Sequence, residues 1–236
     1  MTRIALITGA NKGIGYEIAR LLAGQGVTTI VGARDEERGR AAAERLGQPY
    51  VRLDVTDEES VAAAAKWIDG EHGRLDILIN NAGIAGDLNA LVPSTVTAAA
   101  IREVYETNVF GVVTVTNAML PLLRRSESGR IVNMSSELGS LAMAMDREGP
   151  LWEANFLPYN SSKSALNMIT VCYAKELMDT PIKVNAANPG YCATDLNGHS
   201  GHRTAEQGAA IAVRLATLDG DGPTGAYLED AGSLRW

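Results

Sequence analysis

Short apolar runs alternate along the chain with longer stretches in which apolar residues recur every three or four positions. Residues 4–7, 27–31, 50–53, 75–79, 130–134 and 182–186 are brief, rich in branched aliphatics, and mostly bounded by Gly, Asn, Asp or Pro, as buried strands are. A last short strand is expected near 225–228. The helical period fits 13–23, 35–46, 58–69, 96–124, 161–178 and 204–216. Asp57 and Thr204 stand where a short oxygen-bearing side chain caps a helix, and Pro181 cannot continue the fifth of these helices. Strands that are apolar almost throughout predict burial on both faces, and so a parallel sheet with helices on each side. No repeat, low-complexity tract or linker interrupts the pattern. The expectation is one doubly wound, Rossmann-type α/β domain of about seven strands spanning residues 1–236.

Composition narrows the choice of function. The chain carries a formal charge of −7, so it lacks the basic footprint of a nucleic-acid binder. Two cysteines, Cys172 and Cys192, make no disulfide framework and suit a reducing, cytoplasmic setting. The opening apolar run, 4–7, is too short for a signal peptide, and the longest uncharged run, 107–123, is shorter than a membrane span and includes Pro121.

Candidate chemistry begins after the first strand. Thr8-Gly9-Ala10-Asn11-Lys12-Gly13-Ile14-Gly15 leads straight into a helix, and this G-x-x-x-G-x-G turn suits backbone N–H groups converging on a pyrophosphate. At the end of the second strand, where an acid would hold a ribose 2′-OH, the sequence reads Ala33-Arg34-Asp35. Arg34 with Lys12 favours a 2′-phosphate, hence NADP(H), and Asp35 is placed to cap the next helix. Further on, Tyr159 and Lys163 are four apart and share a helical face. An ammonium favours phenolate, so Lys163 is expected to lower the pKa of Tyr159.

Together with Asp54, Asn80-Asn81-Ala82-Gly83, Asn108, the Asn133-Met134-Ser135-Ser136 run and Asn188-Pro189-Gly190 with Thr194, these motifs resemble the short-chain dehydrogenase/reductase family over essentially the whole chain. Asn11-Lys12 and Ala33-Arg34-Asp35 look like its NADPH-dependent carbonyl reductases. The resemblance implies that Tyr159 is the general acid as hydride reaches a carbonyl, that Lys163 tunes it and bonds the nicotinamide ribose, and that Ser136 polarises the carbonyl. Ser136 is chosen over Ser135 because the family's serine lies three residues before a glycine, here Gly139. Asn108 would position a water relaying protons to Lys163. The cofactor contacts implied are Gly9, Asn11, Lys12, Gly13, Ile14, Gly15, Arg34, Asp54, Val55, Asn81, Ala82, Gly83, Tyr159, Lys163, Pro189, Gly190 and Thr194.

The chain departs from the family's shorter members between Ser136 and Tyr159, 23 positions apart, through an insertion at about 141–158. Its Leu141, Met143, Met145, Trp152, Phe156 and Leu157 point either to a hydrophobic carbonyl substrate or to a loop pinned on the body. Residues 191–203 resemble the family's substrate lid. Asp195, His199 and His202 within it lack a convincing further metal ligand, so no metal is expected. Relatives pair the helices at 96–124 and 161–178, which implies a homodimer or homotetramer. The expected activity is reduction of an aldehyde, ketone or quinone with NADPH; the alternatives are an NAD-dependent alcohol dehydrogenase and a non-catalytic NADP(H)-binding regulator.

Overall fold

The computed structural model describes residues 2–89 and 92–236. Its strands are β1 (Ile4–Thr8), β2 (Thr28–Ala33), β3 (Tyr50–Arg52), β4 (Ile77–Asn80), β5 (Arg130–Met134), β6 (Lys183–Ala187), β7 (Tyr227–Glu229) and β8 (Gly232–Ser233). They form one sheet in the order β3-β2-β1-β4-β5-β6-β7-β8. The first seven are parallel, and β8 adds a two-residue antiparallel edge that the sequence pattern does not signal. Strand order reverses between β1 and β4, and in open α/β sheets the crevice at such a switch point takes the ligand.

The helices are α1 (Gly13–Gly24), α2 (Glu36–Leu46), α3 (Glu58–His72), α4 (Ala98–Tyr105), α5 (Gly111–Leu123), α6 (Leu141–Ala144), α7 (Leu157–Glu176) and α8 (Ala205–Ala216). Alternation along the strands divides the core in two, as a period of two requires. Ala5, Ile7, Val31, Ile79 and Val132 pack with α1 and α8, while Leu6, Ile30, Leu78, Ile131 and Val184 pack with α3, α5 and α7. Asp35, Asp57 and Thr204 cap α2, α3 and α8 by accepting from Arg38 N, Ser60 N and Gln207 N.

Two helices depart from the sequence expectation. The stretch 96–124 is not a single α-helix: α4 and α5 are joined by a π-helical turn at Glu106–Phe110 with Asn108 at its centre. The helix expected from residue 161 begins at Leu157, because Pro158 is tolerated in a first turn where its missing N–H has no partner to lose. Among the described residues no helix is long and apolar enough to cross a membrane.

Candidate active site

The turn after β1 is shaped for an anion. Gly9 and Gly13 hold φ of 65° and 57°, values an L side chain resists. α1 has no side-chain N-cap and no acid in its first turn, so its leading N–H groups are left for a ligand. A Cβ on Gly15 would lie 2.4 Å from Asn81 Nδ2 and 2.6 Å from Gly9 O, which closes the cradle to larger residues. The turn is stitched to the end of β4: Asn81 N and Ala82 N both donate to Thr8 Oγ1 at 2.9 Å, and Asn81 Nδ2 donates to Thr8 O at 2.9 Å. Thr8 is a positioning residue that the sequence argument missed, although it directly precedes Gly9. A Cβ on Gly13 would stand 3.7 Å from Thr194 Cγ2, so Thr194 borders the same cradle, and Ile14 Cδ1 lies beside Gly208 and Pro189.

At the ribose end Arg34 is exposed and makes no ion pair among the described residues. Asp35 is engaged: its carboxylate accepts from Arg38 N at 2.9 Å and pairs with the Arg38 guanidinium at 2.8 Å, which holds it below the usual carboxylate range. Lys12 Nζ meets Asp195 Oδ2 at 2.5 Å. After β3, Asp54 Oδ1 accepts from Thr56 N and Thr56 Oγ1, and Val55 packs over Gly111, where a methyl would come within 2.9 Å. Asn11 is half-buried at the turn, and Gly190, with φ 70°, lies against the Arg203 side chain.

Ser136, Tyr159 and Lys163 converge. Ser136 follows β5, whereas Ser135 is buried and donates to Asn167 Oδ1 at 2.6 Å. Tyr159 occupies the first turn of α7, near enough to Ser136 for the serine side chain to favour its ionised form. Lys163 Nζ is buried, donates to Met134 O at 2.8 Å and lies 5.5 Å from the Tyr159 ring centroid. Burial pushes the Tyr159 phenol up to about 12, with the Ser136 side chain pulling the other way. The expectation that Lys163 lowers this value does not hold here: desolvation dominates, and it brings Lys163 itself down to about 8. Asn108 Oδ1 accepts from Ile84 N at 2.9 Å, and Nδ2 donates to Ile84 O at 2.8 Å and Ser162 Oγ at 3.0 Å. Both amide protons are thus used in holding the loop after Gly83 to α7. A Cβ on Gly83 would fall 3.3 Å from Asn108 Oδ1 and 3.8 Å from Lys163 Nζ, so a side chain there would crowd the Asn108 amide.

The surroundings are mixed. Leu141 and Met145 are exposed, Trp152 stacks under the Arg147 guanidinium at 5.4 Å, and Ala142 N donates to Trp236 O at 3.4 Å. Glu137, next to Ser136, has its carboxyl raised by burial and by Glu229. Cys192 is buried, with Sγ 3.3 Å from Pro189 O, and burial raises its thiol. His199 Nε2 pairs with Asp195 Oδ1 at 2.9 Å, His202 packs on Tyr191, and no group of three metal-ligating side chains gathers among the described residues.

A doubly wound parallel sheet with a glycine cradle at its switch point and a Ser–Tyr–Lys cluster beside it has the architecture of a dinucleotide-dependent oxidoreductase. The family model described as short chain dehydrogenase matches residues 3–205, and the chain belongs to that family. It is 42% identical over 229 residues to short-chain dehydrogenase anuI of Penicillium roqueforti, covering 91% of this chain and 88% of that one. Carbonyl reductase [NADPH] 1 of Sus scrofa is 31% identical, with 100% and 94% covered. The solved structure of salutaridine reductase from Papaver somniferum superposes with a TM-score of 0.83 at 31% identity, covering 97% and 99% of the two chains.

Proposed function

We propose that the protein is an NADP(H)-dependent reductase of small aldehydes, ketones or quinones. The observation that carries this reading is the convergence of Ser136, Tyr159 and Lys163 beside the glycine cradle. The cradle residues Gly9, Asn11, Gly13, Ile14 and Gly15 fit a pyrophosphate, Arg34 and Lys12 a 2′-phosphate. Asp54, Val55, Asn81, Ala82 and Gly83 would border the adenosine, and Pro189, Gly190 and Thr194 the nicotinamide half. When bound, the cofactor supplies the hydride.

Ser136 Oγ holds the substrate carbonyl oxygen and stabilises charge developing on it. Tyr159, whose pKa of about 12 keeps its proton in place at neutral pH, donates that proton to the same oxygen. Lys163, fixed through Met134 O, keeps a positive charge at the back of the phenol, and Asn108 holds the loop that leaves room between them. The proton lost from Tyr159 is made good by one taken up from solvent, since the Asn108 amide is already committed to Ile84 and Ser162. Exposed Leu141 and Met145, with Trp152, favour a hydrophobic substrate, and 191–203 would act as a lid.

The engagement of Asp35 by Arg38 argues against the NAD-dependent alternative, because a ribose 2′-OH would have to share that carboxylate with the Arg38 amide and guanidinium. The free thiols of Cys172 and Cys192 suit a cytoplasmic enzyme. The groove lined by Val113, Asn117, Met168, Ile169 and Tyr173 on α5 and α7 suits self-association as a dimer or tetramer, to be read by sedimentation. The test of function is NADPH consumption across a panel of aldehydes, ketones and quinones, with NADH in parallel and Tyr159→Phe as control. Turnover lost in Y159F supports the reading; binding of both cofactors without turnover would favour the regulatory alternative.

A further inference from the structure

The one ammonium on the phosphate turn is already engaged. Lys12 Nζ lies 2.5 Å from Asp195 Oδ2, although 183 positions separate the two residues, and both side chains are about half exposed. Asp195 opens a 3₁₀ turn, Asp195–Asn197, in the 191–203 segment, and its other oxygen, Oδ1, pairs with His199 Nε2 at 2.9 Å. Arg38, which flanks the ribose end, also feels the Asp195 charge.

The segment that carries Asp195 is a closed unit. Ala193 N donates to Arg203 O at 2.8 Å and Arg203 N to Tyr191 O at 3.1 Å, so its two ends are zipped. Asn197 Nδ2 donates to Cys192 O at 2.9 Å and ties the turn to the first of those ends. A loop braced in this way presents its carboxylate from a fixed base rather than from a floating tip.

We infer that Asp195 is a specificity-determining residue for the cofactor: its carboxylate holds the Lys12 ammonium and competes with a ribose 2′-phosphate for it. The inference rests on the NADP(H) reading and adds to it a residue of opposite charge that sets how strongly the 2′-phosphate is preferred. An ammonium bonded to a carboxylate must give up that partner before a phosphate can take it, so part of the 2′-phosphate's interaction is lost in replacing Asp195. A ligand without a 2′-phosphate leaves the Lys12–Asp195 pair intact and bears no such loss. Taking Lys12 also releases the segment from the phosphate turn, so the same exchange couples cofactor identity to the position of residues 191–203.

The probes are 2′,5′-ADP and 5′-AMP, which differ only in the 2′-phosphate, titrated calorimetrically into the full-length protein. Wild type should bind 2′,5′-ADP more tightly. Asp195→Asn keeps the side-chain shape and removes the charge at an exposed position, so folding is not at risk. It should tighten 2′,5′-ADP by about fivefold, the upper range for an exposed ion pair, and leave 5′-AMP within about twofold. In a Lys12→Ala background the same substitution should change the 2′,5′-ADP to 5′-AMP ratio by less than about twofold, because the competition has lost its object.

An unchanged ratio in D195N, with wild type still preferring 2′,5′-ADP, overturns the inference and leaves the NADP(H) reading standing. Equal tightening with and without Lys12 also overturns it, since the effect would then be the general field of one acid. If neither wild type nor D195N distinguishes the two nucleotides, the NADP(H) reading itself falls and the inference with it.

Discussion

Replacing Gly139 with alanine tests whether the spacing between the serine loop and the catalytic helix sets the rate. The loop after Ser136 rests directly on the backbone of α7. A Cβ at residue 139 would lie 2.7 Å from Lys163 C, 2.8 Å from Lys163 Cβ and 2.9 Å from Lys163 O. None of these is the far end of a flexible chain, so the new methyl cannot be accommodated by a rotamer change. Non-bonded carbons settle near 3.5–4.0 Å, so the loop and the helix must part by about 1 Å. Gly139 O accepts from Ser164 Oγ at 2.9 Å and Asn167 Nδ2 at 3.3 Å, and both bonds lengthen as they separate. Overpacking of this kind costs about 1–3 kcal/mol, a loss of roughly 2–4 °C in Tm per kcal/mol for a chain of this size. A displacement of about 1 Å between Ser136 and Tyr159 should cost about 100-fold in kcat/KM for the carbonyl. Cofactor affinity, which the proposed function assigns to the glycine cradle on another loop, should stay within about twofold. The assay is steady-state kinetics with a fluorescence titration of NADPH and a thermal melt. A G139A protein that is folded and fully active would refute the argument that this backbone contact sets the catalytic spacing.

Three further outcomes follow from the same geometry. Arg34→Ala should weaken NADPH much more than NADH in a binding titration; equal losses would remove the 2′-phosphate from Arg34. Thr8→Val leaves Asn81 N and Ala82 N without their shared acceptor, so a urea melt should show a loss of about 2 kcal/mol, and a change under about 0.5 kcal/mol would show that water replaces the hydroxyl. Tyr159 and Lys163 shift in opposite senses, which an alkaline titration of the cofactor-free protein separates. Tyr159 stays protonated while unfolded tyrosine ionises near 10, so its contribution to stability falls as pH rises through 10 toward about 12. Lys163 gives up its proton near 8 in the fold and near 10.5 when unfolded, so its penalty is relieved between those values. The absorbance difference between wild type and Y159F should accordingly show no tyrosinate step below about pH 11, and a step near 10 would contradict the burial argument.

Much of the sheet can be read in the sequence because both of its faces are buried. A strand buried at every position needs no alternation to be recognised, and Arg130–Met134, in which Ile131, Val132 and Met134 carry the signal, is found with its expected bounds. The caps at Asp35, Asp57 and Thr204 are equally legible, since each depends on a side chain and an N–H two or three residues away. What escapes is structure that a single period cannot describe. Val104 and Val109 are both buried five positions apart, a spacing an α-helix does not keep on one face and a π-helical turn does. That spacing is the available signal for the turn that brings Asn108 to Ile84 and Ser162. The two residues of β8 carry no apolar pattern at all.

The site divides in the same way, between what adjacency fixes and what solvent exclusion fixes. Tyr159 and Lys163 share a face because they are four apart, and this needs only helix geometry. Their charge states depend on how much water reaches them, a property of β5, α7 and the loop after Ser136 together. Pairing alone argues for a phenolate; burial argues for a phenol, and burial is the leading cause at both groups, with Tyr159 moved to about 12 and Lys163 to about 8. For the proposed reduction this is the useful outcome, because a group must hold a proton in order to donate it. A deprotonated Tyr159 would suit only the reverse reaction, which should therefore gain from alkaline conditions that leave the forward reaction without its acid. Distance along the chain hides the other decisive contact: Lys12 is legible as a free cation in its own loop, and only the fold sets against it a carboxylate from the far side of the cradle.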